Sequence, residues 1–535
     1  MAKIFVFGIG GTGERVMRSL TMLMASGAQA FDGHEVYPII IDYDQNNADK
    51  DRTVHLLQNY MEIHNAAFKR HSASSDIKGQ VGQFFAAHLR NLNGLENFVF
   101  PFKPASEHEK FRDYIGYGQL AGDTLNTLRL LDSLYDKSNR SDTELNLDMT
   151  VGFKGNPNIG SVVFHTISDT PEFRTFTSLY DPTSDDKVIV IGSLFGGTGA
   201  SGIPEIVKAV RSKHAGAKIA TILVMPYFAP IEQKGGAIKA SRFNSKTKAA
   251  LSYYKDSGLM DQIDKVYYVG DPTPTSVEYS EGGNTQHNNA NLIELISALM
   301  IEHFVSMDLS KNRDKEFKFS LDTNIVAITG KKVSERLFLK DFDEVSIKRA
   351  LVPMATLAIG LKLHHDEVQT KNAKEKDFYK YLSIGKDEET DELKTLREQL
   401  ANFYDEYQSW LKELDFEGQD NKLPGNSHRF GFLDMSRSYN DIILKEAVVD
   451  HETKSRGFFD ILVMAQEWLA GADSSENSIS SDYLVTRLNY HIRDNANGNG
   501  HYDTRSNSLR VNHEPEWVYA DILHASAKDG FASYK

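Results

Sequence analysis

Two glycine-rich stretches, far apart in the chain, carry the residue types that bind phosphate. Residues 187–214 read KVIVIGSLFGGTGASGIPEIVKAVRSKH. The run Val188-Ile189-Val190-Ile191 predicts a buried strand. A helix is expected to open near Pro204, because proline tolerates a first helical turn. Between them Gly196, Gly197, Thr198, Gly199, Ala200 and Ser201 let backbone N–H groups converge on an anion. A helix start adds about half a positive charge. Residues 3–24 repeat the pattern: a strand from Ile4 to Phe7, a loop with Gly8, Gly10, Gly11, Thr12 and Gly13, then Val16, Leu20, Leu23 and Met24 at helical spacing. An ordinary dinucleotide fold needs one such loop. Two loops converging on one ligand imply a phosphate chain gripped from two sides.

Acids accompany the glycines. The strand Val36 to Ile41 ends in Asp42-Tyr43-Asp44. Carboxylates at i and i+2 point the same way, and strand tips of a parallel sheet face the ligand crevice. They suit a hard cation or its waters, a ribose, or a cap for the helix expected from Ala48. Residues 152–160, GFKGNPNIG, form a turn-rich stretch that is either a surface loop or, before the central strand, a contact for a terminal phosphate through Gly155 and Asn156.

These motifs need a scaffold. Strands are expected at 218–224 and 265–269, with a short one at 98–100. Helices are expected at 48–70, 81–92, 120–134, 241–254, 288–304 and 340–365, with Pro353 near a turn. The alternation predicts a doubly wound, mostly parallel α/β sheet. The helix from Asn288 to Phe304 is apolar enough to be buried between domains. Expected units are 1–286 for nucleotide binding, 287–308 as a central helix, 309–370 as an intermediate domain and 371–535 as a largely helical C-terminal region.

Composition sets bounds. A hydrophobic share of 40% and a charged share of 25% over 535 residues fit a globular chain of two or three domains. A net charge of −14 argues against a general nucleic-acid or anionic-membrane binder. The absence of cysteine removes thiolate metal sites and cysteine nucleophiles. With no signal pattern at the start and no apolar run long enough to span a membrane, a cytoplasmic protein is expected.

Taken together, the motifs resemble those of the tubulin/FtsZ superfamily of GTPases, especially its divergent prokaryotic tubulin-like members. Residues 196–202 look like the signature loop with one extra residue, and Gly10 to Gly13 sit where the first phosphate loop belongs. Asp42-Tyr43-Asp44 is similar to the family's second loop, Gly155-Asn156-Pro157 to its third, and Met225-Pro226-Tyr227-Phe228 to the end of the next strand. Asp271, Asn288, Asn289 and Asn291 lie where ribose and guanine are recognised. The set covers about 300 residues. No Walker sequence occurs, in keeping with phosphates held by backbone N–H groups.

The resemblance implies binding of GTP or GDP with Mg²⁺, with Asp42 and Asp44 toward the metal. It also implies head-to-tail association of the chain with itself, GTP at the interface, and hydrolysis completed by an acid from the next subunit. That acid would be Asp308. Lys311 stands where hydrolysing members carry a second acid, and Asp314 substitutes only in a longer loop. Competing readings are a non-hydrolysing nucleotide-binding scaffold, an adenylating enzyme of the ubiquitin-activating kind, to which residues 8–47 fit nearly as well, and a dehydrogenase supported by Gly8 to Gly13 alone.

The resemblance fades after about residue 330. Leu393, Leu396, Leu400, Phe403, Tyr407, Leu411 and Leu414 predict one long amphipathic helix, packed within the chain or against a protein partner. Another helix is expected at 458–470 and a polar linker at 474–481. Residues 495–500 lack the leading acid of a calcium loop, and 364–367 read as a solvated terminus rather than a metal site. Trp517, Tyr519 and Leu523 imply that the tail docks.

Overall fold

The structure is a computed structural model. It describes residues 1–44, 47–68, 82–102, 109–120, 125–135, 144–149, 152–153, 155–230, 242–271, 275–277, 288–319, 335–337, 339–342, 346, 349–363, 382, 390–414, 488–492, 502–503, 508–509 and 514–532. In chain order the elements are β1 (Lys3–Ile9), α1 (Gly10–Ala25), β2 (Glu35–Ile41), α2 (Ala48–Phe68), β3 (His88–Leu89), α3 (Phe111–Tyr114), α4 (Leu125–Tyr135), α5 (Pro157–Phe164), α6 (Pro171–Leu179), β4 (Lys187–Ser193) and α7 (Thr198–Lys213). They continue with β5 (Lys218–Val224), β6 (Phe228–Pro230), α8 (Phe243–Asp256), β7 (Lys265–Val269), β8 (Thr275–Val277), α9 (Leu292–Ser306), β9 (Glu316–Phe319), β10 (Glu335–Leu337), α10 (Val352–Leu363), α11 (Asp391–Leu414) and α12 (Pro515–Ala532).

Eight strands form one sheet in the order β10-β9-β7-β5-β4-β1-β2-β3, and every pairing is parallel. The central strands β1, β2, β4 and β5 are apolar and buried along most of their length because helices cover both faces. Alternation sorts their side chains. Ile4, Val6, Ile189, Ile191 and Ile222 enter one core with α1, α2 and α9; Phe5, Phe7, Val188, Val190 and Leu223 enter the other with α5 and α7. The chain turns one way after β1 and the opposite way after β4, and these two strands are neighbours. That reversal is the switch point of a doubly wound sheet, where α1 and α7 start side by side on opposite faces. Register aligns the three strand tips: Ile9 lies opposite both Ile41 and Gly192.

Several expectations are corrected. Residues 82–92 are not helical. Gly82 and Phe85 have φ of 75° and 58°, which no helix tolerates, and β3 follows. The expected strand at 98–100 is reduced to isolated bridges of Val99, parallel to Ile40 and antiparallel to Glu96. Strands β9 and β10 extend the main sheet beyond the expected boundary at residue 309. Pro353 sits in the first turn of α10. The α11 stripe is packed inside the chain, with Leu396, Phe403 and Tyr407 fully buried in the same core as α1, α2, α10 and α12. In α12, Trp517, Tyr519 and Leu523 are buried, so the tail docks as expected. Residues 138–143, 364–367, 458–470, 474–481 and 495–500 lie outside the described residues. Among the described residues no helix is long and apolar enough to cross a membrane.

Candidate functional site

Strand β1 runs into α1 without an intervening loop. Gly10 makes this possible with a φ of +67°. Gly8 and Gly13 let the helix start close against the strand. A Cβ on Gly13 would lie 2.5 Å from the Gly8 carbonyl carbon, and one on Gly8 would lie 2.9 Å from the Gly13 oxygen. No side chain caps α1, and its leading N–H groups, those of Gly10, Gly11 and Thr12, have no helical acceptor.

The second glycine segment starts its helix earlier than expected. Helix α7 opens at Thr198, again without a side-chain cap, and Pro204 lies inside it. A proline there leaves the carbonyl four residues back without its N–H partner. That carbonyl belongs to Ala200, and it accepts the Tyr254 hydroxyl of α8 at 2.7 Å. Ser201 is likewise occupied: its hydroxyl donates to the Gly197 carbonyl at 2.8 Å. The Ser201 hydroxyl proton and the Ala200 carbonyl are thus both engaged within the fold. Ala200 keeps only its N–H.

Three glycine segments meet. A Cβ on Gly10 would lie 3.1 Å from the Thr198 Cβ, and one on Gly197 would lie 3.0 Å from the Gly155 nitrogen and 3.1 Å from that of Asn156. Gly199 is pressed on the tip of β4, where a Cβ would come 2.6 Å from the Ser193 nitrogen. Gly155 has a φ of +76°, and the Asn156 side chain does not cap α5. Gly10 to Gly13, Gly155-Asn156 and Gly196 to Gly199 thus form one backbone surface at the switch point.

The acids lie alongside. Asp42 accepts the Asp44 N–H at 3.2 Å and Asn47 Nδ2 at 3.4 Å; the same Asn47 nitrogen donates to Glu14 at 2.9 Å. The cap of α2 is Asn47, whose Oδ1 accepts the Asp49 N–H at 2.9 Å and the Lys50 N–H at 3.3 Å. This excludes Asp42 and Asp44 from capping. Glu14 was not singled out from sequence, though an acid straight after an anion-binding glycine is itself a signal. It is fully buried, and its Oε1 has no partner among the described residues. Burial first, and Asp42 second, hold its carboxyl well above the usual range; burial raises Asp42 too. Among the described residues no three such groups converge to hold a metal on their own. Asp42 and Asp44 fit a cation that draws its remaining ligands from phosphate and water, as Mg²⁺ commonly does.

The expected base-recognition residues divide. Asn291 caps α9: its Oδ1 accepts the Ile293 N–H at 2.9 Å, and its own N–H donates to Glu294 at 3.0 Å. Asn288 donates its N–H and Nδ2 to Asp49 at 3.1 and 3.0 Å. Asn288 and the Oδ1 of Asn291 are thus engaged within the fold. Asn289 is exposed, and Asp271 lies two residues past the end of β7.

Asp308 and Asp314 are not part of this site. Lys187, the first residue of β4, donates to the carbonyls of Phe304, Val305 and Met307 at 3.2, 2.7 and 3.0 Å. Lys265, the first residue of β7, donates to the carbonyls of Asn312, at 3.0 Å, and Asp314. These lysines fix segment 307–314 at the strand starts, whereas the glycine segments follow the strand ends. A seven-residue strand separates the two by about 20 Å. Asp308 accepts the Ser310 hydroxyl at 2.6 Å and pairs with Lys311 at 2.9 Å, and these contacts hold its carboxyl well below the usual range. A surface cavity of about 680 Å³, lined by Tyr37, Arg90, Arg174 and Ser178 among others, includes none of the glycine segments.

The chain matches no known family model, and no curated protein matches it.

Proposed function

We propose that this chain is a tubulin-like GTP-binding protein that associates head to tail, with GTP between copies. The observation that carries the reading is the meeting of Gly10 with Thr198 and of Gly197 with Gly155 and Asn156. Uncapped N–H groups of α1 and α7 then face one phosphate chain from two sides. Asp42 and Asp44 hold Mg²⁺ together with phosphate oxygens. The cation supplies neutralisation of the β- and γ-oxygens. On this reading Asp271 and Asn289 contact the nucleoside. Asp308, about 20 Å away at the opposite end of the strands, reaches a γ-phosphate only from a second copy. In that assembly it would orient the attacking water.

A second reading is a scaffold that binds nucleotide without turnover. The Asp308–Lys311 ion pair favours it, because the carboxylate is already occupied. Thermal unfolding with added nucleotide tests both. GTP and GDP should raise the midpoint while ATP and NAD leave it unchanged. A response to ATP or NAD alone would refute the guanine-nucleotide reading. Phosphate release on sedimenting assemblies separates turnover from scaffold.

A further inference from the structure

The first turn of α8 carries no acid and is flanked by two cations, Arg242 at its N-cap and Lys246 one turn on. Spacing of i, i+4 puts them on one face. A positive pair at a helix N-terminus opposes the helix dipole, so the helix gains nothing from it. Among the described residues Lys246 has no hydrogen-bond or ion-pair partner. Its ammonium sits against the Gly155-Asn156 turn, so close that a Cβ on Gly155 would collide with it. That turn packs in its own right against Gly197, at the start of α7. Burial, reinforced by Arg242, lowers the pKa of Lys246, as expected for a cation held partly out of water without a counter-ion.

We infer that Lys246 selects for a terminal phosphate: its ammonium pairs with the γ-phosphate of a nucleoside triphosphate lying on the glycine segments, and a diphosphate leaves it unpaired. This rests on the proposed nucleotide reading and adds to it a side-chain cation and a basis for preferring triphosphate. The backbone segments grip the phosphates; Lys246 counts them.

The test uses the full chain and two probes, a non-hydrolysable GTP analogue and inorganic triphosphate. A hydrogen bond to a charged group is worth about 1.5–3 kcal/mol, so Lys246→Met should weaken the GTP analogue about 10–100-fold. GDP affinity should change less than about 3-fold, and Lys246→Arg should keep most of the triphosphate preference. Independently, acetylation of Lys246, read by mass spectrometry, should be suppressed by the GTP analogue and by inorganic triphosphate but not by GDP. Equal weakening of both nucleotides, or tight analogue binding without protection of Lys246, would overturn the inference and leave the nucleotide reading standing. Protection by inorganic triphosphate without any binding of the GTP analogue would defeat the nucleotide reading and keep Lys246 as a polyphosphate contact. No binding of either probe to wild type would defeat both.

Discussion

Asn47 and Asn291 show where residue-by-residue reading reaches its limit. A side-chain carbonyl that accepts backbone N–H groups at a helix start uses the chemistry that would meet a ligand. From sequence, the asparagines around 288–291 could serve either end; in the fold Asn291 is spent on α9 and Asn47 on α2. The glycines were legible because their role is local: a positive φ at Gly10 and Gly155 and backbone contact at Gly8 and Gly13 demand the absence of a side chain. A buried acid such as Glu302 was not, because burial is a tertiary property. Glu302, on α9, is 4% exposed, hydrogen-bonds Ser346, and is pushed up to about 7 by burial from a usual 4.5. The folded state therefore holds this proton more tightly than the unfolded chain. The stability it confers is full below pH 4.5 and is lost as pH rises through about 7, a loss of about 3 kcal/mol. Glu302→Gln should unfold at nearly the same urea concentration as wild type at pH 4.5 and at a clearly higher one at pH 8. An unchanged difference across that range would remove Glu302 as the source.

Elements were read well where periodicity reported a single partner. The strands at 187–193, 218–224 and 265–269 and the helix at 292–306 stand close to where their patterns put them. The stretch at 81–92 misled because its spacing came from tertiary packing. Phe85 stacks edge-on against Phe403 of α11 and Phe84 against His524 of α12, so these aromatics serve distant helices rather than one helical face. The start of α7 was missed because proline was taken as its first turn. Its place inside the helix is supported by Tyr254, whose hydroxyl takes the carbonyl that Pro204 leaves free. Tyr254→Phe should cost about 1–3 kcal/mol, the penalty of an unmet buried acceptor. In a Pro204→Ala background the restored N–H meets the Ala200 carbonyl, and the same substitution should cost less than about 1 kcal/mol. A double-mutant cycle by urea denaturation measures the coupling; additive effects would contradict this account of the proline.

Across the whole molecule, the sequence conveyed a doubly wound, mostly parallel sheet but not its strand order or how far it extends. The short strands β9 and β10 have too few residues to show a period, yet they widen the sheet past the expected domain boundary. Nor could sequence show that α11 is tied to the site's own helices: its Glu413 binds Arg18 of α1 at 2.5 Å, together with Arg52 of α2 and the Ala290 N–H at 2.8 Å. The C-terminal helices thus brace the helices that form the crevice. The separation of Asp308 from the glycine segments yields a prediction for the assembled state. Asp308→Ala and Gly197→Val should each be inactive alone, yet a mixture should recover GTP turnover, because one chain keeps the nucleotide surface and the other the acid. Recovery should stay well below half the wild-type rate, since of the four ordered junctions in the mixture only one joins an intact nucleotide surface to an intact acid. An inactive mixture, alongside an active wild type, would show that the acid does not act between copies.

The most direct measurement is the stoichiometry and affinity of GTP for wild type, Gly10→Val and Gly197→Val, each verified as folded by circular dichroism. One GTP per chain in wild type, and loss of binding in both variants, is predicted, because each substitution intrudes on the surface the two segments share. Undiminished affinity in either variant would mean that the segments do not hold one ligand, and would contradict the account.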